Sequence, residues 1–251
     1  MNGEMYDLCS LTLHAEKALR GNTVFEPVEM KYVAQRKFVF SQSFGSTFSQ
    51  EEWFRISVKR GLKAVRMLAP TAVKDRGILG FVNTTQAYLA LFREDGSVAA
   101  LLPKWEFQKT ETMWHVTYQE QEWPDAPKDI PVFQNETETL RSVLQEIEGL
   151  ARRIEEPYFA QCFQDAQDLL DGKGTMPSDM FAKVPEPYRS ILGAVSKGDV
   201  FGAMGSWNDS PPYEAQQKGL KDEYDRLSDA LLKYNRLNML YAVNTCYSEM
   251  E

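Results

Sequence analysis

The chain has 251 residues, 43% hydrophobic and 25% charged, which places it among ordinary folded proteins and excludes a disordered, collagen-like or coiled-coil rod architecture. Folding at this length removes roughly 70 to 75% of the unfolded chain's surface from water, so a core forms without staples. Lys and Arg number 28 against 36 Asp and Glu, a formal charge of -8, and that surplus argues against a surface built to bind nucleic acid.

The acidity is uneven. Residues 1–76 hold 12 basic and 8 acidic side chains, residues 77–135 hold 4 and 8, and residues 136–251 hold 12 and 20. A basic N-terminal part and an acidic C-terminal part give any basic stripe an internal partner before an external one is needed. Met1-Asn2-Gly3-Glu4 has no basic segment leading into an apolar run, so no secretory signal is expected and the chain is read as cytoplasmic. Gly77 to Phe92 is free of charge but contains Asn83, Thr84, Thr85 and Gln86, which a minimal membrane span does not tolerate. Cys9, Cys162 and Cys246 lack paired spacing and are read as buried, reduced thiols.

In chain order, Leu8, Leu11, Ala15, Ala18 and Leu19 predict an N-terminal helix ending at Gly21. Lys37 to Ser41 reads as a strand. Ser49-Gln50-Glu51-Glu52 is a capping box, and Phe54, Val58, Leu62, Val65 and Leu68 then extend a single predicted helix to Pro70. Ala87–Arg93 and Val98–Leu102 flank a tight turn at Asp95-Gly96, and Trp105–Gln108 and Met113–Gln119 continue an antiparallel meander. Trp114, Val116 and Tyr118 share one face of it, His115, Thr117 and Gln119 the other. Pro124, Pro127 and Pro131 mark a domain boundary or a long connection.

Beyond that the pattern is helical. Asn135-Glu136-Thr137-Glu138 repeats the capping-box logic ahead of Leu140 to Ile154. Phe159 to Leu170 predicts a second helix ending at Gly172, and a third lies near Tyr188 to Val195. Leu220, Tyr224, Leu227, Leu231 and Tyr234 step through the longest helix, interrupted at Asn238, with Asp222–Arg226 and Asp229–Lys233 spaced for intrahelical ion pairs. The expected architecture is α+β: a region 1–130 with an antiparallel sheet and a packed helix, and a helical region 131–251 that shares its core or has its own.

Linear motifs for catalysis are missing. With only His14 and His115 and no cysteine cluster, no metal and no cofactor is expected. Asp165, Asp168 and Asp171 drift around a helix and read as a solvated face. Gly172-Lys173-Gly174-Thr175 fails as a P-loop, because Gln167 stands where the first Gly belongs.

Two segments carry the functional candidates. The first is a basic surface of Arg55, Lys59, Lys63 and Arg66 along the capped helix, whose like charges imply either a partner or a solvating role. The second is Lys197 to Asp209, where glycines that weaken a helix by about 1 kcal/mol each precede Trp207, Asn208 and Asp209. One reading is a binding loop of Gly202, Gly205, Trp207, Asn208 and Asp209. The other, which the residue types favour, is a close helix crossing at Gly198 and Gly202 followed by a Trp-anchored turn.

The leading expectation is a non-catalytic protein-interaction protein, one form of which is an acidic, immunity-like neutraliser of a basic protein partner. The alternative is an enzyme with a site between sheet and helices, using His115 or Asp199, Asn208 and Asp209.

Overall fold

A computed structural model describes residues 1–42, 45–176 and 181–248. The α+β class is as expected. The chain forms two compact units: a sheet unit of Gly3–Ala69, Gln86–Val132 and the segment that begins at Val243, and a helical unit of Pro70–Thr85 and Phe133–Ala242 with the first two residues. The chain passes between them at 2–3, 69–70, 85–86, 132–133 and 242–243.

In the sheet unit, α1 (Gly3–Gly21) precedes β1 (Val33–Val39), α2 (Gln50–Lys59), β2 (Leu62–Leu68), β3 (Tyr88–Arg93), β4 (Val98–Gln108) and β5 (Met113–Glu122). The strand order is β1-β5-β4-β3-β2. The sheet is mixed, not wholly antiparallel: β2 to β5 pair antiparallel with their neighbours, but β1 runs parallel to β5. That pairing follows from chain order, since β1 and β2 occupy opposite edges and are joined through α2, not by a hairpin.

α2 is shorter than predicted. The Ser49 capping box forms, with Glu52 N–H on the Ser49 hydroxyl at 3.2 Å and the Glu52 carboxylate on Ser49 N–H at 2.9 Å. The helix then stops at Lys59, because Gly61 takes a φ of +76° in the C-terminal position that glycine favours. Residues 62–68 have helix-forming side chains, yet they pair with β3 from Leu62↔Arg93 to Leu68↔Tyr88. Tertiary pairing overrides propensity here.

β2 is an edge strand, and its outward amides are closed by side chains. Val65 N–H donates to Glu16 Oε1 at 2.6 Å, and Met67 N–H donates to Asn244 Oδ1 at 2.8 Å while Asn244 Nδ2 returns to Met67 O at 3.0 Å. The Asn244 amide thus imitates a neighbouring strand and blunts the edge. α1 lies against β2 and β3, and α2 against β1 and β2. Across the other sheet face, Trp123, Ala126 and Ile130 cover Ala64, Ala90, Phe92 and Val98. The proline-marked stretch is therefore packed, at least in part, onto the sheet.

In the helical unit, α3 (Thr137–Arg153), α4 (Pro157–Leu170) and α5 (Tyr188–Gly198) pack in sequence, followed by α6 (Pro211–Gln217) and α7 (Lys221–Thr245), whose end enters the sheet unit. The second capping box does not form. Asn135 Oδ1 instead accepts from Thr137 N–H and Oγ1, at 2.9 and 2.6 Å, and Glu136 caps α3 without a side-chain bond. Asn238 interrupts the α7 stripe because its amide is used: Nδ2 donates to Glu136 O at 3.0 Å, and Oδ1 accepts from Thr137 Oγ1 at 3.2 Å.

Candidate functional site

The Gly-rich segment leaves α5 and folds into a tight loop. Trp207 N–H donates to Val200 O at 3.0 Å, and Ser206 N–H to Ala203 O at 3.1 Å. The Trp207 side chain is fully buried. Its ring meets Phe159 and Phe163 edge-on at 5.2 and 5.3 Å, and Nε1 donates to Ser228 Oγ at 2.8 Å. The Tyr224 hydroxyl donates to Trp207 O at 2.6 Å, and burial pushes its pKa up to about 12, so it stays a donor near neutral pH. Trp207 is thus held at both its indole and its backbone carbonyl, with its side chain out of contact with solvent.

Its neighbours hold the loop to the 70–85 segment. Asn208 Nδ2 donates to Arg76 O at 3.0 Å and Gly202 O at 3.4 Å. Asp209 Oδ2 accepts from Gly205 N–H at 2.7 Å, closing a turn in which Gly205 has φ of +77°. The closest approach is at Gly80, where a Cβ would lie 2.2 Å from Ala203 N. A Cβ at Gly198 would lie 3.1 Å from the Asn235 amide of α7, as a close helix crossing requires, whereas one at Gly202 would meet only Ser206 at an ordinary 3.4 Å. Of the five residues expected in a binding loop, Trp207 is thus withdrawn from the surface, and Asn208 and Asp209 brace the backbone.

Beside this loop opens a cleft of about 320 Å³ lined by Lys74, Asp75, Arg76, Gly77, Asn208, Pro212, Tyr224 and Asp225. Arg76 is held between Asp225 and Asp229, and Lys221 also pairs with Asp225. Both cations lie 5.9 Å from the Tyr224 ring. Asp75 turns back to accept from Gly77 N–H at 2.8 Å, and Lys74 is exposed at the rim. Of the lining, sequence reasoning singles out Asn208 and misses Lys74 to Gly77. The Asp75-x-Gly77 turn and the punctuating Gly77 and Gly80 are the signals that could have found them.

The basic surface does not form as a single stripe. Arg55 and Lys59 are exposed on α2 and Lys63 on β2, but Arg66 is 5% exposed and ion-paired with Glu16 at 2.8 Å. A helix that ends at Lys59 cannot align all four. Nor do the α7 pairs form as spaced: Arg226 pairs with Glu146, Asp229 with Arg76, and Lys233 lies over Tyr234.

No family model, curated protein or solved structure matches the chain. Function must therefore be argued from the site. Among the described residues no three His, Cys, Asp or Glu side chains are grouped to hold a metal, and no helix is long and apolar enough to cross a membrane. His115 is engaged by Glu111 at 2.9 Å. Asp165 and Asp171 are committed to Lys197 and to Arg141 with Lys173. Burial raises the pKa of the free thiols Cys9, Cys162 and Cys246, which leaves them poor nucleophiles.

Proposed function

We propose that the protein is a non-catalytic interaction protein of the cytoplasm, whose acidic helical unit binds and neutralises a basic partner protein. The charge pairing within that unit carries this reading. Arg141, Arg152, Arg153, Lys197, Lys218, Lys221 and Arg226 are each ion-paired inside the unit. Asp75, Asp168, Asp209, Glu214 and Asp222 have no cationic partner among the described residues. Against these five carboxylates stand the exposed Lys74 and Lys233, also without an acidic partner among the described residues, so an acid surplus is presented outward, where it attracts and orients a basic protein. In the cleft, Tyr224 is committed to the Trp207 carbonyl and Asp225 to two cations.

Native mass spectrometry of the chain purified from its own host at physiological salt tests the proposal. A complex with a strongly basic protein supports it. A retained metabolite with no protein partner overturns it in favour of an enzyme.

A further inference from the structure

Among the described residues, every exposed large hydrophobic side chain of the helical unit sits on the Gly-rich loop or within a few residues of a segment that contacts the loop or the residues flanking it. Met204 is 93% exposed, Tyr158 70%, Phe81 63% and Tyr213 61%, with Val82 next to Phe81. Their placement follows from the loop's own contacts. Phe81 follows Gly80, which is packed against the 202–203 peptide, and Met204 is the next residue after that peptide. Tyr158 precedes Phe159, whose ring rests on Trp207, and Ser210, at the start of the helix that carries Tyr213, donates to Glu156 at 3.0 Å. An apolar cluster of this kind on a polar surface marks an interaction site. Because the loop is anchored by the buried Trp207 and braced by Asn208, little ordering entropy opposes docking.

The surrounding charge selects the partner. Asp75, Asp209 and Glu214 lack cationic partners among the described residues, against one exposed cation there without an acidic partner, Lys74; Arg76 is only 15% exposed and already shared by two carboxylates.

We propose that this face docks an amphipathic basic segment of a partner protein, its apolar side chains on Met204, Phe81 and Tyr213 and its Lys or Arg side chains against Asp75, Asp209 and Glu214. The inference rests on the neutraliser reading above and adds to it the place and chemistry of contact.

A synthetic amphipathic helix of Lys and Leu is the probe, followed by fluorescence anisotropy and by hydrogen exchange on the full chain. Binding is expected, with protection centred on residues 76–82 and 202–209. The double variant Met204→Asp/Phe81→Ser should weaken it by about tenfold or more, although the new carboxylate makes the face more acidic. Both positions are exposed, so the variant keeps its fold, checked by circular dichroism. Glu138→Lys, in the first turn of α3 and not among the unpaired acids, should change affinity far less. Unchanged binding by the double variant, protection elsewhere, or an equal loss with Glu138→Lys overturns the docking face and leaves the neutraliser reading standing. No binding of the peptide at all overturns both.

Discussion

The two units bury polarity in different ways. Inside the sheet unit whole charges are enclosed: Asp7 with Arg36 at 2.7 Å, Glu16 with Arg66 at 2.8 Å, and Glu120 with Arg93 at 3.3 Å. Inside the helical unit the polar contacts around Trp207 and Asn238 are mainly neutral, hydroxyl and amide groups meeting carbonyls and one another, and most ion pairs stay at the surface. Arg236 is the exception: burial lowers its pKa, and it donates to Pro70 O at 2.7 Å. A neutral hydrogen bond contributes about 0.5 to 1.5 kcal/mol net, whereas a buried ion stranded without its partner costs several kcal/mol. The sheet unit is therefore the more brittle to single substitutions, and the helical unit keeps its charge available for a partner.

The largest test of that contrast is Asp7→Ala. Asp7 accepts from the Arg36 guanidinium and from the Tyr118 hydroxyl at 2.8 Å, all three being buried or nearly so. The substitution strands a buried cation, and a loss of about 3 to 5 kcal/mol is expected in urea unfolding. Asp7→Leu with Arg36→Met should recover most of it; a double variant as unstable as the single one would refute the stranded-charge argument. Trp207→Ala comes next. Removing the indole should cost about 3 to 4 kcal/mol through cavity formation alone, and the loop that Trp207 anchors should lose hydrogen-exchange protection. Stability equal to the parent's would make Trp207 a contact residue and not an anchor.

The contrast is only partly legible in the sequence. Elements announced by local chemistry are readable: the Ser49 capping box, the Asp95-Gly96 turn and the helix stops at Gly21 and Gly172. Where distant partners decide, they are not. Leu62 to Leu68 looks helical, and becomes a strand because Gly61 ends the helix and β3, Glu16 and Asn244 satisfy its backbone. Arg66 looks like surface for the same reason, since its partner Glu16 lies 50 positions away on α1. In the candidate site, the composition of 197–209 is a sufficient flag, and the Trp-anchored reading agrees with the buried indole. The opposing wall, Lys74 to Gly80, carries only weak turn signals, because its role is set by Asn208 and Ala203.

A stabilising substitution probes the neutral interior from the other side. Asn235 is 3% exposed, and neither atom of its amide has a hydrogen-bond partner among the described residues. Asn235→Leu removes two unsatisfied groups at similar volume and should raise stability by about 1 kcal/mol. A loss instead would show that the amide, packed against Gly198, is satisfied in solution.

The smallest effect expected is on pH dependence, and it belongs to the helical unit's surface. Asp165 titrates below its ordinary value near 3.8 because Gln161 donates to it and, secondarily, because Lys197 pairs with it; Glu223 is lowered from about 4.5, first by its hydrogen bond to Arg153. A carboxylate whose folded pKa is depressed stabilises the fold above its unfolded pKa, and that contribution disappears as pH falls through the lower folded value. The groups are mostly exposed, so each contributes only about 0.2 to 0.5 kcal/mol, less in high salt. Urea midpoints should thus fall from about pH 5 to pH 3, more steeply at low ionic strength. Lys197→Met should flatten Asp165's share of that slope only in part, because the Gln161 hydrogen bond is the larger cause and remains. If the substitution abolished that share, the ion pair would be what holds Asp165 ionised, and the surface charges would be more tightly coupled than their exposure implies.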